Sequence, residues 1–190
     1  MVETISPVVH GGRNRNYWSA VALHTLGATV SASLLGVVLG AGGWLLGAPW
    51  GTAGLIGLAA VSVLYAAREL LDLPIPLPDL DRQVPDWWRT YFSRNVAAFL
   101  YGAGLGVGFL TYLSFGTLAA VATATFISGS PATGALVMAA FGIARGASVV
   151  VTANRSPKDV VEALGTPPIR RRARLVNGLI LVAIAAATLL

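Results

Sequence analysis

Few side chains in this sequence could do chemistry, and most of those lie in stretches where charge is rare. From Asn16 to Ala67 the only ionisable side chains are Tyr17, His24 and Tyr65, and from Asn95 to Asn154 the only charged one is Arg145. His24 sits about two turns into its apolar stretch. An ionisable group there is a functional candidate, and a neutral imidazole bonded to a neighbouring helix is the plainer reading. Arg145 has two readings as well: its long side chain snorkels to an interface, or it contacts an anion or substrate inside the fold. Thr111, Tyr112, Ser114 and Thr117, followed by Thr123 and Thr125, give one apolar stretch a polar content its neighbours lack. Such hydroxyls satisfy carbonyls freed at a helix break, bond across helices, or line a solute path.

Other chemistries are excluded by composition. There is no cysteine, which removes disulfides, thiolate metal sites and intrinsic dithiol exchange. His10 and His24 are the only histidines, so no histidine-rich metal site and no bis-histidine haem pair at helical spacing is expected. No catalytic constellation, metal site or cofactor is expected. The net charge of +5 does not point to nucleic acid, because the basic residues fall in short segments between apolar spans and form no aromatic-studded basic face.

The elements that must position these residues are membrane helices. Hydrophobic residues make up 55% of the chain and charged ones 11%. A water-exposed helix needs a charged face, whereas a bilayer core about 30 Å thick needs about 20 apolar residues per helix. The sequence predicts an all-α polytopic bundle: a polar cytoplasmic tail over 1–16, then one transmembrane unit over 17–190. Spans are expected at about 17–46, 51–71, 95–127, 132–151 and 175–190. The first has a weak point at Gly40–Gly43. The third is too long for one straight crossing and should break around Ser114, Phe115 and Gly116. Gly102, Gly104, Gly106 and Gly108 precede that break; their four-residue spacing suits close helix packing, or a broken helix that exposes carbonyls to a site.

Arginine and lysine counts orient the bundle. The tail carries Arg13 and Arg15, the 72–94 loop Arg82, Arg89 and Arg94, and the 155–174 loop six basic residues, while the turns near Pro49 and Gly129 carry none. Five spans place all three basic segments on one side, with the N-terminus inside, the C-terminus outside, and the protein in the cell (inner or plasma) membrane. Arg68 and Glu69 read as ordinary boundary residues. Leu73–Pro78 reads as an extended proline ladder, Pro85 as the start of an interfacial helix bearing Trp87, Trp88, Tyr91 and Phe92, and Ser156–Gly165 as a short surface helix. Arg170, Arg171 and Arg172 anchor the last span and attract anionic lipid headgroups.

These landmarks resemble the membrane domain of the CcdA/DsbD proteins, which carry electrons across membranes for cytochrome c biogenesis and thiol reduction. Residues 20–41 are similar to that family's second helix, and the span ending in Leu70–Pro78 to its third helix and following loop. Tyr101–Phe109, Leu118–Ala120 and Ser128–Pro131 are similar to its fourth helix, and Gly134–Gly142 to the start of its fifth. The resemblance implies the same orientation as the arginine count. No counterpart of the first helix is visible, and the fourth-helix cysteine would fall at Leu113 or Ser114, neither of which forms a disulfide. The family's electron relay therefore cannot run in this chain alone. The expected role is a non-redox accessory or scaffold subunit that pairs with another membrane protein or a second copy of itself in the lipid bilayer. The alternatives are a small-solute or ion carrier using the broken third span, and a redox protein with an external cofactor.

Overall fold

The computed structural model describes residues 14–77, 87–108, 116–151 and 166–189. Seven helical elements appear among them: α1 (Asn14–Leu45), α2 (Gly51–Leu71), α3 (Trp88–Tyr91), α4 (Arg94–Gly106), α5 (Thr117–Ser128), α6 (Pro131–Val151) and α7 (Pro167–Leu189). The protein is a polytopic helical membrane bundle. α1, α2, α6 and α7 are each long and apolar enough to cross a bilayer. α4 and α5 are not; with 13 and 12 residues they cover about 20 Å and 18 Å. They lie in series along α1, with Gly102 and Gly106 of α4 against His24 and Ala28 and Phe126 of α5 against Gly43.

Close contacts fix the helix directions. Thr25 and Ala28 face Gly146 and Gly142, while Gly36 and Gly40 face Gly134 and Ser130, so α1 and α6 are antiparallel. α2 is antiparallel to α5, with Tyr65 beside Gly116 and Gly54 beside Ile127. It is antiparallel to α7 too, with Glu69 and Leu70 beside Gly178 and Ala66 clustered with Leu181. α1 and α4 run parallel. The starts of α1, α4 and α7 therefore share one side of the bundle with the ends of α2 and α6. The turn from α1 to α2 and the turn at Gly129 share the other.

Three local readings change. α1 runs unbroken through Gly40–Gly43 to Leu45, because these glycines sit where α1 meets the α5–α6 turn: a Cβ on Gly40 would strike the Ser130 carbonyl and one on Gly43 the Phe126 carbonyl. α7 begins at Pro167 rather than near Leu175, so Arg170, Arg171, Arg172 and Arg174 are helical. Proline at the first helical position lacks only an N–H that has no intrahelical partner there. α1, at 32 residues, is about 48 Å long and must tilt or project beyond a core about 30 Å thick. The expected surface helix at Ser156–Gly165, the tail over 1–13 and Pro78–Asp86 lie outside the described residues. Leu73–Leu77 forms neither helix nor strand. It turns back so that Leu77 packs beside Ala32, Leu118 and Met138.

The α1–α6 seam is backbone on backbone. A Cβ on Gly36 would overlap the Gly134 carbonyl, and one on Gly134 the Gly36 carbonyl. Gly57 on α2 has open space at the same position. Gly36→Val should cost about 2–4 kcal/mol through overpacking and remove the monodisperse peak in detergent size-exclusion chromatography. Gly57→Ala should leave the melting temperature unchanged or slightly raised. A wild-type melting temperature for Gly36→Val would show that the seam is not this close.

Candidate functional site

The densest polar assembly lies where α2, α5 and α7 meet, around a residue that the sequence pattern assigned to the membrane boundary. Glu69, in the last turn of α2, is 4% exposed. Gly178 lets α7 come close beside it, and the α5 N-terminus abuts it. Arg68 Nη1 donates to Glu69 Oε1 at 2.7 Å, and the Gly116 backbone N–H donates to the same oxygen at 3.2 Å. Arg174 Nε lies 3.4 Å from Oε2. Arg174 also donates to the Arg68 carbonyl at 2.8 Å and to the Asp72 carboxylate. Asp72 ends α2 in the left-handed region, with φ of 58°. Arg68 Nε donates to the Ile75 carbonyl at 2.7 Å, and the Tyr65 hydroxyl to the Pro76 carbonyl at 3.4 Å.

Two carboxylates thus face two guanidiniums. Taking a single charge out of water costs several kcal/mol unless partners compensate it. Here the compensation comes from Arg68, Arg174 and the N-terminal end of α5, where the helix dipole favours an anion. The cluster joins α2, the segment after it, the start of α5 and α7. Beside it, the Thr117 hydroxyl donates to Asn177 Oδ1.

The helix interruption begins earlier than Ser114. α4 stops at Gly106, and Gly108 takes φ of 72°, a left-handed conformation that glycine adopts without strain. Gly102, Gly104 and Gly106 are in α4, but Gly108 lies past its end. The helix resumes at Thr117, with Gly116 packed on the Tyr65 ring. Thr111, Tyr112 and Ser114 lie outside the described residues.

His24 occupies a different seam. It is completely buried between α1 and α4, with Nδ1 3.3 Å from the Ala98 carbonyl and Nε2 without a hydrogen-bond partner among the described residues. Gly102 meets its backbone directly. Arg145 is half-buried on α6, its guanidinium carbon 5.8 Å from the centroid of the Phe141 ring. Of the remaining hydroxyls, Thr123 donates to the Ala119 carbonyl within its own helix, and Thr125 is buried against Gly134. Trp87 is exposed and stacks edge-on with Trp88 and Tyr91, while Trp88 leans on Tyr101 of α4. Arg170, Arg171 and Arg172 are exposed. The structure therefore gathers Gly116 and Thr117 at the Glu69 cluster and leaves His24 at the α1–α4 seam. The signal for Glu69 was in the sequence: an acid within an apolar span, with Arg174 and Asn177 three apart on one face of a later helix.

Comparison with known proteins fixes the family. Residues 4–186 match the cytochrome c biogenesis protein transmembrane region family. The chain belongs to this family. The resemblance to the CcdA/DsbD membrane domain is thereby confirmed. Its relatives include the methylamine utilization protein MauF of Methylorubrum extorquens, 35% identical over 175 residues that cover 91% of this chain and 61% of that protein. MauF of Paracoccus versutus is 33% identical over 190 residues, covering 98% of this chain and 69% of the relative. MauF of Methylophilus methylotrophus is 35% identical over 170 residues, with 88% and 59% covered. The chain thus spans roughly two thirds or less of the length of these relatives. No solved structure matches it.

If Glu69 neutralises the junction, Glu69→Gln leaves the more exposed Asp72 as the one carboxylate of the cluster facing Arg174 and Arg68. It should destabilise the protein by about 3–5 kcal/mol, and Arg174→Gln by less, because that side chain is 29% exposed. Thermal unfolding of both single variants and the double variant measures the coupling. Strictly additive losses would mean that the two residues act independently.

Proposed function

We propose that this chain is a non-redox scaffold subunit of a membrane assembly serving methylamine utilization, oriented with its N-terminus in the cytoplasm and its C-terminus outside. The observation that carries this reading is the junction at the helix interruption. A thiol relay needs a group that gains and loses electrons there, and this chain has no cysteine. Instead, a carboxylate, two guanidiniums and a helix N-terminus hold one another in a compensated arrangement. Such a cluster fixes three helices in place and offers no redox couple. The relatives named for methylamine utilization supply the setting, and a partner membrane protein or a second copy supplies whatever chemistry the assembly performs.

The loss of this gene in a methylamine-using host should slow growth on methylamine and leave growth on other carbon and nitrogen sources intact. The tagged protein, solubilised in mild detergent, should carry a second membrane polypeptide or a second copy. Reporter fusions at Gln83 and Pro168 should both report the cytoplasmic side. A strictly monomeric particle without companions, from cells growing normally on methylamine, would end the scaffold reading. The interrupted α4–α5 pair supports a second reading, a small-solute or ion carrier. Flux into liposomes that falls in Arg145→Ala and His24→Ala would favour it over the scaffold.

A further inference from the structure

α7 has an unusual outer surface at its start. Ile169, Arg172, Ala173, Val176, Asn177 and Ile180 line an open groove of 460 Å³. The four apolar residues recur at helical spacing, so they form one continuous strip. Arg172 stands at one end with Arg170 and Arg171 in the same turn, and α7 contains no acidic residue. From Ile169 to Ile180 the strip covers about 16 Å of helix axis. That is close to half of a hydrocarbon core about 30 Å thick, the depth of one leaflet.

We propose that this groove binds one anionic phospholipid, with its phosphate against Arg172 and its neighbouring arginines and an acyl chain along Ala173, Val176 and Ile180. The charge gradient along the groove matches a lipid: cationic at the interface and apolar below. A free phosphate would use only the arginines. A protein helix would need the cationic end matched by acidic residues. The bound lipid covers the flank of α7 whose opposite side holds Glu69 through Arg174, so it also holds α7 in register with α2.

Native mass spectrometry of the full chain in mild detergent tests the site, with equal amounts of phosphatidylglycerol and phosphatidylcholine present and glycerol phosphate as a chainless headgroup probe. One phosphatidylglycerol should be retained in preference to phosphatidylcholine, and glycerol phosphate should not bind. Arg172→Gln should weaken retention about fivefold, the equivalent of roughly 1 kcal/mol per charge, and Arg172→Lys should restore it. Val176→Trp, which fills the strip, should remove the bound lipid. Arg172→Gln alters an exposed side chain, so it decides the matter even if the tryptophan variant misfolds. Equal retention of the two lipids, glycerol phosphate binding as tightly as the intact lipid, unchanged retention in Arg172→Gln, or a polypeptide found in the groove would each overturn the proposal. None of these outcomes depends on the scaffold reading, because lipid retention is measured on the isolated protein.

Discussion

Lipid takes away the force that holds soluble helices together. An acyl chain is as apolar as leucine, so two membrane helices gain little from apolar contact alone and must gain from close packing. α1 meets that constraint with a stripe of small residues. Thr25, Thr29, Ala32, Gly36, Gly40 and Gly43 recur at intervals of three and four and face α6 and the turn that leads into it. His24, Gly27, Ala28 and Ser31 face α4 on the adjoining side. The hydroxyls on the stripe do not spoil it: Thr29 and Ser33 donate to carbonyls of the preceding turn at 2.8 Å, so they present no unsatisfied polar group. α4, α5 and α6 pack directly on this helix, and α2 and α7 join the bundle through α5. α4 comes close to it through the glycines at 102 and 106, and the interruption follows directly after the second of them.

An interruption inside a bilayer creates its own demand. The first N–H groups of α5 have no intrahelical partner, and no water is at hand to take their place. Glu69 accepts from the first of them, at Gly116. A lone carboxylate in that position would be worse than the open N–H it satisfies, so it requires cations. Arg68 reaches it from the same helix and Arg174 from α7. Those cations are then placed by the carbonyls of Ile75 and Arg68 and by Asp72. Each step follows from the one before. A broken helix in lipid thus recruits the end of α2, the segment after it, and the first third of α7.

Much of this fold was legible in the sequence because bilayer thickness and charge exclusion act on long windows. Long windows with almost no charge mark α1, α2 and α6, and glycine density signals that the third span is interrupted. Local events were harder to read. Gly40–Gly43 suggested weakness because glycine propensity is low, yet those positions lie under a backbone crossing where only glycine fits, and tertiary packing overrides propensity. The arginines before Leu175 suggested a loop, but arginine is a good helix former, and long side chains reach water from a helix at the interface. Glu69 was discounted because one residue at the end of a span looks like a boundary. Its burial depends on α5 starting beside it and α7 crossing over it, and neither is visible in the composition of α2.

The same geometry separates two properties that a transmembrane electron carrier must combine. Such a carrier needs a reactive group at the interruption, and it needs the interruption to move or open so that partners on both sides reach that group. In this chain cysteine is absent altogether, and the start of α5 is held by a carboxylate that is itself held by two helices. Moving α5 away from α2 would break the Gly116 N–H bond to Glu69 and leave that N–H without an acceptor in lipid, while Glu69 keeps Arg68 and Arg174. A fold that retained the interruption for electron transfer would gain from a looser arrangement at this place. An anchored junction suits a part whose shape is its contribution, which is the scaffold role proposed above.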